Sequence, residues 1–387
     1  MRTRLTPSSA REIDAGRVRA VLDGRALVTN YEAIRSQVDG LGMIPMIKAD
    51  AYGHGAAWAA RLLHGAKDLY AYGVASLGEG GLLREQIGPR HRRTPVMVFS
   101  GAMPWCEETG AYCEENGLQP VIGSEDAWRA FTQGRWQERI GYHLEFDTGM
   151  NRVGLAPALS LSIAKQVSLF SSEAQPLSVF THLASSEVVE DPITQRQLSR
   201  YLDLRGVFES RVPGARFHLA NSGAIWNSKY FRLSEISDLV RPGLSLYGIP
   251  PWSGAPVRGL CPAMTVYARV IHCFDAAPGE TIGYGGTFRV KGTEKQKVAV
   301  LAIGYADGLL RALSNLGEVW LGGRKENLLG QISMDLAAVS RSSQVAVGAE
   351  AELLGPNIDI WAQSKKAGTI PYELLTSFSA RVIREDG

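Results

Sequence analysis

Lys48 stands where an apolar run, Met43–Ile47, gives way to Ala49-Asp50-Ala51-Tyr52-Gly53-His54-Gly55 and then to Ala56–His64, which has helical patterning. An amine where strand meets loop, its stem against apolar neighbours, can form a Schiff base with a carbonyl group. A solvated strand-end lysine is the plain alternative, and the residues downstream argue against it. Strand ends further along carry Asp147-Thr148-Gly149-Met150-Asn151-Arg152, Thr181-His182, His218-Leu219-Ala220-Asn221-Ser222-Gly223 and Val240-Arg241-Pro242-Gly243-Leu244. Taken singly, His182 reads as a satisfied core histidine, Arg152 as a surface ion pair and Ser222-Gly223 as a turn. Together they put several polar groups beside one lysine. A serine hydroxyl and backbone N–H groups at the last two strand ends suit a phosphate. A lysine plus a phosphate site points to pyridoxal 5′-phosphate.

The elements that must position these residues alternate strand and helix. The predicted strands are Met43–Lys48, Tyr70–Ser76, Pro95–Ser100, Gln119–Gly123, Tyr142–Asp147, Leu177–His182, Arg216–Ala220 and Asp238–Arg241. Helical patterns fill most intervals, among them Ala26–Val38, Gly81–Ile87, Ala158–Val167 and Thr194–Phe208. This predicts an α/β chain with an N-terminal (β/α)8 TIM-like barrel, whose active site is built at the C-terminal strand ends. No GxGxxG follows an early strand, so a dinucleotide fold lacks its fingerprint. A Pro/Gly-rich linker at Pro250–Pro256 separates the barrel from a mostly β C-terminal domain. Its predicted strands are Met264–Phe274, Glu280–Val290, Val298–Gly304, Glu318–Gly322, Gln331–Ser340 and Arg381–Arg384, with one helix near Pro371–Ser377. The expected domains are a disordered tail at 1–18, a cofactor-binding barrel at 19–255 and the β domain at 256–387. The short strand Arg19–Asp23 is free to join either.

The chain has 387 residues and a net charge of +2, which gives no footprint for nucleic acid or a membrane surface. No apolar run is long enough to span a bilayer, and Met1–Val18 lacks the apolar core of a secretory signal. The four cysteines (Cys106, Cys113, Cys261, Cys273) have no metal-ligand spacing, so reduced thiols in a cytoplasm and no metal are expected.

The motifs resemble those of the alanine racemases. The matching stretches include Ile47–Gly55, Asp147–Gly154, Thr181–Ser186, Ala220–Ser222, Val240–Gly243 and Ser245–Gly248. In the second half they are Ile282–Gly285, Ile303–Gly308, Ser333–Asp335 and Ile370–Glu373. The resemblance implies interconversion of L- and D-alanine by two bases on opposite faces of Cα, with Lys48 carrying the cofactor and acting as one base. Tyr284 matches the second base, contributed by the other subunit of a homodimer. A free tyrosine has a pKa of about 10, so its surroundings must favour the phenolate. His182, Arg241 and His218 match a hydrogen-bonded chain behind that tyrosine.

Arg241 matches the partner of the pyridine nitrogen. A guanidinium does not readily give up a proton, which keeps electron withdrawal modest and favours reprotonation over elimination or transamination. Tyr52, Ser222, Gly243, Leu244 and Tyr372 match phosphate contacts, and Asn221 lies beside them in the cofactor set. Arg152 matches the group that binds the cofactor's phenolic oxygen and the substrate carboxylate. Met334 matches a backbone donor from the partner, with Asp335 next to it, and Tyr305 and Tyr372 match tyrosines that narrow the entrance. Glu145 departs from the pattern, because many relatives have a carbamylated lysine there. Two readings of it stand side by side: a fixed carboxylate supplied to Arg152, or a barrel-interior glutamate paired elsewhere. The competing readings are a racemase of serine or another small amino acid, a decarboxylase, and a pyridoxal-phosphate carrier without turnover.

Overall fold

The computed structural model describes residues 16–91, 93–100, 104–255 and 257–387. The expected tail therefore lies outside the described residues except at 16–18, and so does Pro256 of the linker. Two compact units emerge, one of residues 27–51 and 55–260, the other of residues 16–26, 52–54 and 261–387. Strands are numbered in chain order, β1 (Val18–Leu22) belonging to the second unit.

The first unit holds β2 (Gly42–Met43), β3 (Tyr72–Val74), β4 (Val96–Val98), β5 (Leu118–Ile122), β6 (His143–Glu145), β7 (Ser178–Phe180), β8 (Arg216–His218) and β9 (Leu239–Val240). β3 to β8 form one parallel sheet in that order, and β2 pairs in parallel with β9. Single parallel bridges at Met46–Gly73 and Ala220–Val240 join the pair to the two ends of the sheet. Most of these strands are buried on both faces, as parallel strands flanked by helices are.

The regular strands are shorter than the apolar runs that announce them. Met43–Lys48 is the sharpest case, because regular pairing stops at Met43. Pro45 has no N–H to give to a ladder. The backbone stays bonded on both sides nonetheless, Ile44 N–H to Val240 O at 2.8 Å and Ile47 N–H to Gly73 O at 2.8 Å. Lys48 is not the last residue of a strand. It opens a left-handed turn in which Ala49, Asp50, Ala51 and Tyr52 have φ between 51° and 55°.

In the second unit the order is β13-β16-β15-β14-β17-β10-β1-β18, with β10 also bonded to β13. These are β10 (Met264–Ala276), β13 (Gln296–Leu301), β14 (Glu318–Leu321), β15 (Arg324–Leu329), β16 (Ala337–Ser340), β17 (Glu350–Leu354) and β18 (Ile383–Asp386). All pairs are antiparallel except β1 with β18.

The expected strand Glu280–Val290 is instead β11 (Thr281–Ile282) and β12 (Phe288–Arg289) around a 3-10 turn at Tyr284–Gly286. Positive φ at Gly283, Gly285 and Gly286 breaks the extended run. A helix at Ile360–Ala367 adds to the one expected at Pro371, where Pro371–Thr376 is helical. Its signals are an Asp359 cap on the Trp361 and Ala362 N–H groups and a left-handed Gly368 at its end. Among the described residues no helix is long and apolar enough to cross a membrane.

Candidate active site

Four consecutive left-handed non-glycine residues cost roughly 1–2 kcal/mol each, so the turn after Lys48 needs identifiable supports. Asp50 supplies two, its Oδ1 accepting Ala56 N–H at 2.7 Å and its carbonyl accepting Gly55 N–H at 2.8 Å. Ala51 N–H bonds back to Ile47 O at 2.9 Å. Glu79 ties the turn to the end of β3, one carboxylate oxygen accepting Ala49 N–H at 2.9 Å and the other Ala75 N–H at 2.6 Å. Glu79 was not among the residues expected at the site. Its signal was the spacing Ser76-x-x-Glu79, in which Ser76 Oγ caps the Glu79 N–H at 3.2 Å.

The Lys48 amine has no carboxylate within 4 Å and no hydrogen-bond partner among the described residues. Burial lowers its pKa first and the charges of Arg152 and Arg241 lower it further, against Glu79 and Glu145. A lysine so placed is a better nucleophile toward a carbonyl than a solvated one.

Arg241, just past β9, is 3% exposed, and burial lowers its pKa to about 10, which leaves it cationic at neutral pH. It lies over the Phe180 ring, 4.9 Å from the centroid, and His218 stacks on Phe180 at 4.4 Å. Nη1 donates to His218 Nδ1, while Nη2 donates to Thr181 O at 2.8 Å and lies 3.4 Å from His182 Nδ1. The structure thus brings His182, Arg241 and His218 together. Burial followed by the Arg241 charge pushes both histidines well below their usual pKa, so both rings are neutral. Arg241 Nε meets no acceptor among the described residues.

Ser222 opens a short helix, Ser222–Trp226, capped by Asn221, whose Oδ1 accepts Ala224 N–H at 3.2 Å and also the Ser186 hydroxyl. Ser222 Oγ accepts N–H groups from Gly243 at 3.1 Å and Ser245 at 3.4 Å, which draws the residues after β8 and β9 together. Leu244 begins the 3-10 turn that follows. Arg152 is exposed and makes no ion pair within 4 Å among the described residues. Glu145, at the end of β6, is 4% exposed and also forms no ion pair or side-chain hydrogen bond among the described residues. Burial raises its pKa to about 7, against the pull of Arg241 and Arg152.

The remaining residues lie in the second unit. The Tyr52 and Tyr372 rings are 5.9 Å apart, and burial pushes the Tyr52 phenol up. Tyr284 is 75% exposed. Two backbone bonds, Tyr305 N–H to Ser333 O and Ala306 N–H to Met334 O, both at 3.0 Å, fasten the Tyr305 loop to Met334. Arg381 bridges Asp335 at 2.8 Å and the buried Asp307 at 3.2 Å.

Lys48, Arg152 and Arg241 repel one another, with only Glu79 and Glu145 opposing them around the lysine. That donor set fits an aldehyde with phosphate and phenolate charges, and Arg241 Nε remains for a ring nitrogen.

The comparisons with known proteins follow the same lines. The model of the alanine racemase N-terminal domain matches residues 22–251, and that of the C-terminal domain matches residues 263–385. The alanine racemase of Brucella abortus (strain 2308) is 32% identical over 97% of this chain and 94% of its own. Among solved structures, the biosynthetic alanine racemase of Pseudomonas aeruginosa is 28% identical with a TM-score of 0.84, covering 96% of this chain and 99% of its own. The alanine racemase of Bartonella henselae with covalently bound pyridoxal phosphate gives 28% identity and a TM-score of 0.83, with the same coverage. Matched over both halves, the chain belongs to the alanine racemase family.

Proposed function

We propose that this chain interconverts L- and D-alanine with pyridoxal 5′-phosphate, using Lys48 and Tyr284 as its two bases. The observation that carries the reading is the Lys48 amine, with no carboxylate within 4 Å among the described residues and under the charges of Arg152 and a buried Arg241. The cofactor, when bound, supplies the electron withdrawal that acidifies the Cα proton. Lys48 anchors it and moves a proton at Nζ on one face of Cα. Tyr284 of a second copy moves a proton at its phenol oxygen on the other face, so the substrate need not rotate.

Arg241 would face the ring nitrogen as a donor that keeps its proton, which would limit electron withdrawal and favour return of the proton over side reactions. Ser222, with the Gly243 and Leu244 backbone, holds the phosphate together with Tyr52 and Tyr372, and Asn221 fixes the start of that helix. Arg152 takes the substrate carboxylate with its fork of N–H donors. Glu145 attracts Arg152 when ionised. Met334 and Asp335 of the second copy complete the carboxylate end, and Tyr305 narrows the entrance.

The same reading closes the eight parallel strands into a (β/α)8 barrel within 19–255, with β1 given up to the β domain that follows from 256. It makes the active unit a head-to-tail homodimer, with a small amino acid as substrate and the cytoplasm as its compartment.

The test is L-alanine in deuterated water with the purified protein, following optical rotation and the α-proton together. Both signals should vanish, and Lys48→Ala should preserve both. An α-proton retained by the unaltered protein overturns the reading, and faster racemisation of serine than of alanine moves its specificity.

A further inference from the structure

A line of buried polar groups runs inward from Arg241 through the parallel-strand unit, one residue from each successive strand. Arg241 Nη1 meets His218 Nδ1 at the end of β8. His218 Nε2 lies 3.0 Å from Ser178 Oγ on β7, which lies 2.7 Å from His143 Nδ1 on β6. His143 Nε2 is 3.2 Å from Gln119 Oε1 on β5. His218, Ser178 and His143 are each 0% exposed, so no solvent competes for their hydrogen bonds.

The Arg241 end, which can only donate, sets the protons that follow it. A guanidinium only donates, so His218 Nδ1 must accept. Burial and the adjacent Arg241 charge keep the His218 ring neutral, and its one proton therefore sits on Nε2 and goes to Ser178 Oγ. The serine hydroxyl, having accepted, donates to His143 Nδ1. Burial lowers the His143 pKa to about 3, so that ring is neutral too and its Nε2–H faces Gln119 Oε1, an acceptor. All donors point from Arg241 toward Gln119, and each assignment follows from the one before.

We propose that Ser178, His143 and Gln119 are positioning residues that hold His218 as its Nε2–H tautomer, so that its Nδ1 lone pair fixes the Arg241 guanidinium. In the other tautomer an N–H would face the N–H of Arg241, and the guanidinium would have to turn. Arg241 Nη2 is bound to the Thr181 carbonyl, and a turn would carry Nε away from the direction those two contacts set. The catalytic consequence rests on the reading that Arg241 faces the cofactor ring, whereas the tautomer does not.

The experiment is nitrogen NMR of the holoenzyme with 15N-labelled histidine, with His143→Gln separating the His143 resonances from those of His218. In the unaltered protein His218 should show a bare Nδ1 and a protonated Nε2. Ser178→Ala should shift His218 toward a mixture of tautomers and lower kcat for alanine roughly tenfold, with KM changed by less than about twofold. Ser178→Thr, which keeps the hydroxyl, should restore both. If Ser178→Ala does not fold, Gln119→Leu gives the same reading at His143, whose Nε2–H loses its acceptor. Protonation of Nδ1 in the unaltered protein overturns the proposal, and so do His218 resonances unmoved by Ser178→Ala. A protein with the stated tautomer but no racemase activity supports the polar line and sinks the proposed reaction alone.

Discussion

The carboxylate of Glu79 accepts the Ala49 N–H at 2.9 Å, one residue beyond Lys48, and its second oxygen holds the Ala75 N–H just past β3. A distant side chain thus stabilises a left-handed turn that its own residues disfavour. Glutamine cannot replace it, because an amide offers one acceptor and turns a donor toward the other N–H. Glu79→Gln should therefore cost about 2–4 kcal/mol in chemical denaturation, since hydrogen bonds to a charged acceptor contribute roughly 1.5–3 kcal/mol each. It should also change the visible absorption of the bound cofactor, because the turn sets where the Lys48 stem begins. Unchanged stability would show that Asp50 and the Ala51–Ile47 backbone bond hold the turn without Glu79.

Gly304 is packed so closely that an added Cβ would lie 2.3 Å from the Met334 carbonyl carbon and oxygen and from Ser333 O. These are backbone atoms and cannot swing aside. Gly304→Ala should push Met334 away, breaking the bonds from Tyr305 N–H and Ala306 N–H, at a cost on the order of 2 kcal/mol. If the Met334 backbone serves the substrate carboxylate, KM for alanine should rise several-fold along with the fall in melting temperature. A lower melting temperature with unchanged KM would remove Met334 from substrate binding.

The strand-end residues could be read from the sequence because polar types at the ends of apolar runs have few structural reasons to be there. His182, His218 and Arg241 are such residues, and they meet in one hydrogen-bonded group. The handedness of the turn after Lys48 was not legible, since Ala49, Asp50 and Ala51 carry no mark of positive φ and only Gly53 and Gly55 hint at it. Ser178 and His143 were hidden for a different reason: inside a short strand they read as interior positions, and their partners come from neighbouring strands. β15, with the sequence RKENLL, and β17, with EAELL, are too polar to announce themselves, and pairing with β14, β16 and β10 makes them strands.

Glu145 should set a pH dependence of stability. Its pKa in the folded chain is about 7, above the 4.5 of an ordinary carboxyl, so the folded state binds the proton more tightly than the unfolded state. Its contribution to stability is complete below about pH 4.5 and is lost as pH rises through about 7. Glu145→Gln escapes that loss and should gain on the unaltered protein across this window, by up to about 3 kcal/mol above it. Denaturation curves at about pH 5 and about pH 8 measure the gain, and equal differences at both would contradict the raised pKa. The proposed attraction to Arg152 acts only on the ionised form. KM for alanine should therefore agree between the two proteins below about pH 6 and be higher in the variant at about pH 8.

The two-base reading separates exchange from racemisation. With Tyr284→Phe, Lys48 can still remove and return a proton on its own face. Deuterium should then enter Cα of one alanine enantiomer without inversion, while racemisation is lost. Exchange into both enantiomers at equal rates would mean that one base serves both faces.

Tyr284 is 75% exposed, an odd place for a catalytic phenol unless a second copy of the chain covers it. That arrangement can be tested by mixing two inactive proteins, Lys48→Ala and Tyr284→Phe, under conditions that let subunits exchange. Random pairing makes half of the dimers mixed. In a mixed dimer one site combines both altered residues, and the other combines an intact Lys48 with an intact Tyr284 from the opposite chain. One live site in two, in half of the dimers, should restore about a quarter of the unaltered activity. If each site used the lysine and tyrosine of a single chain, every site in the mixture would lack one of them. No activity would then return at any mixing ratio, and the shared site would be ruled out.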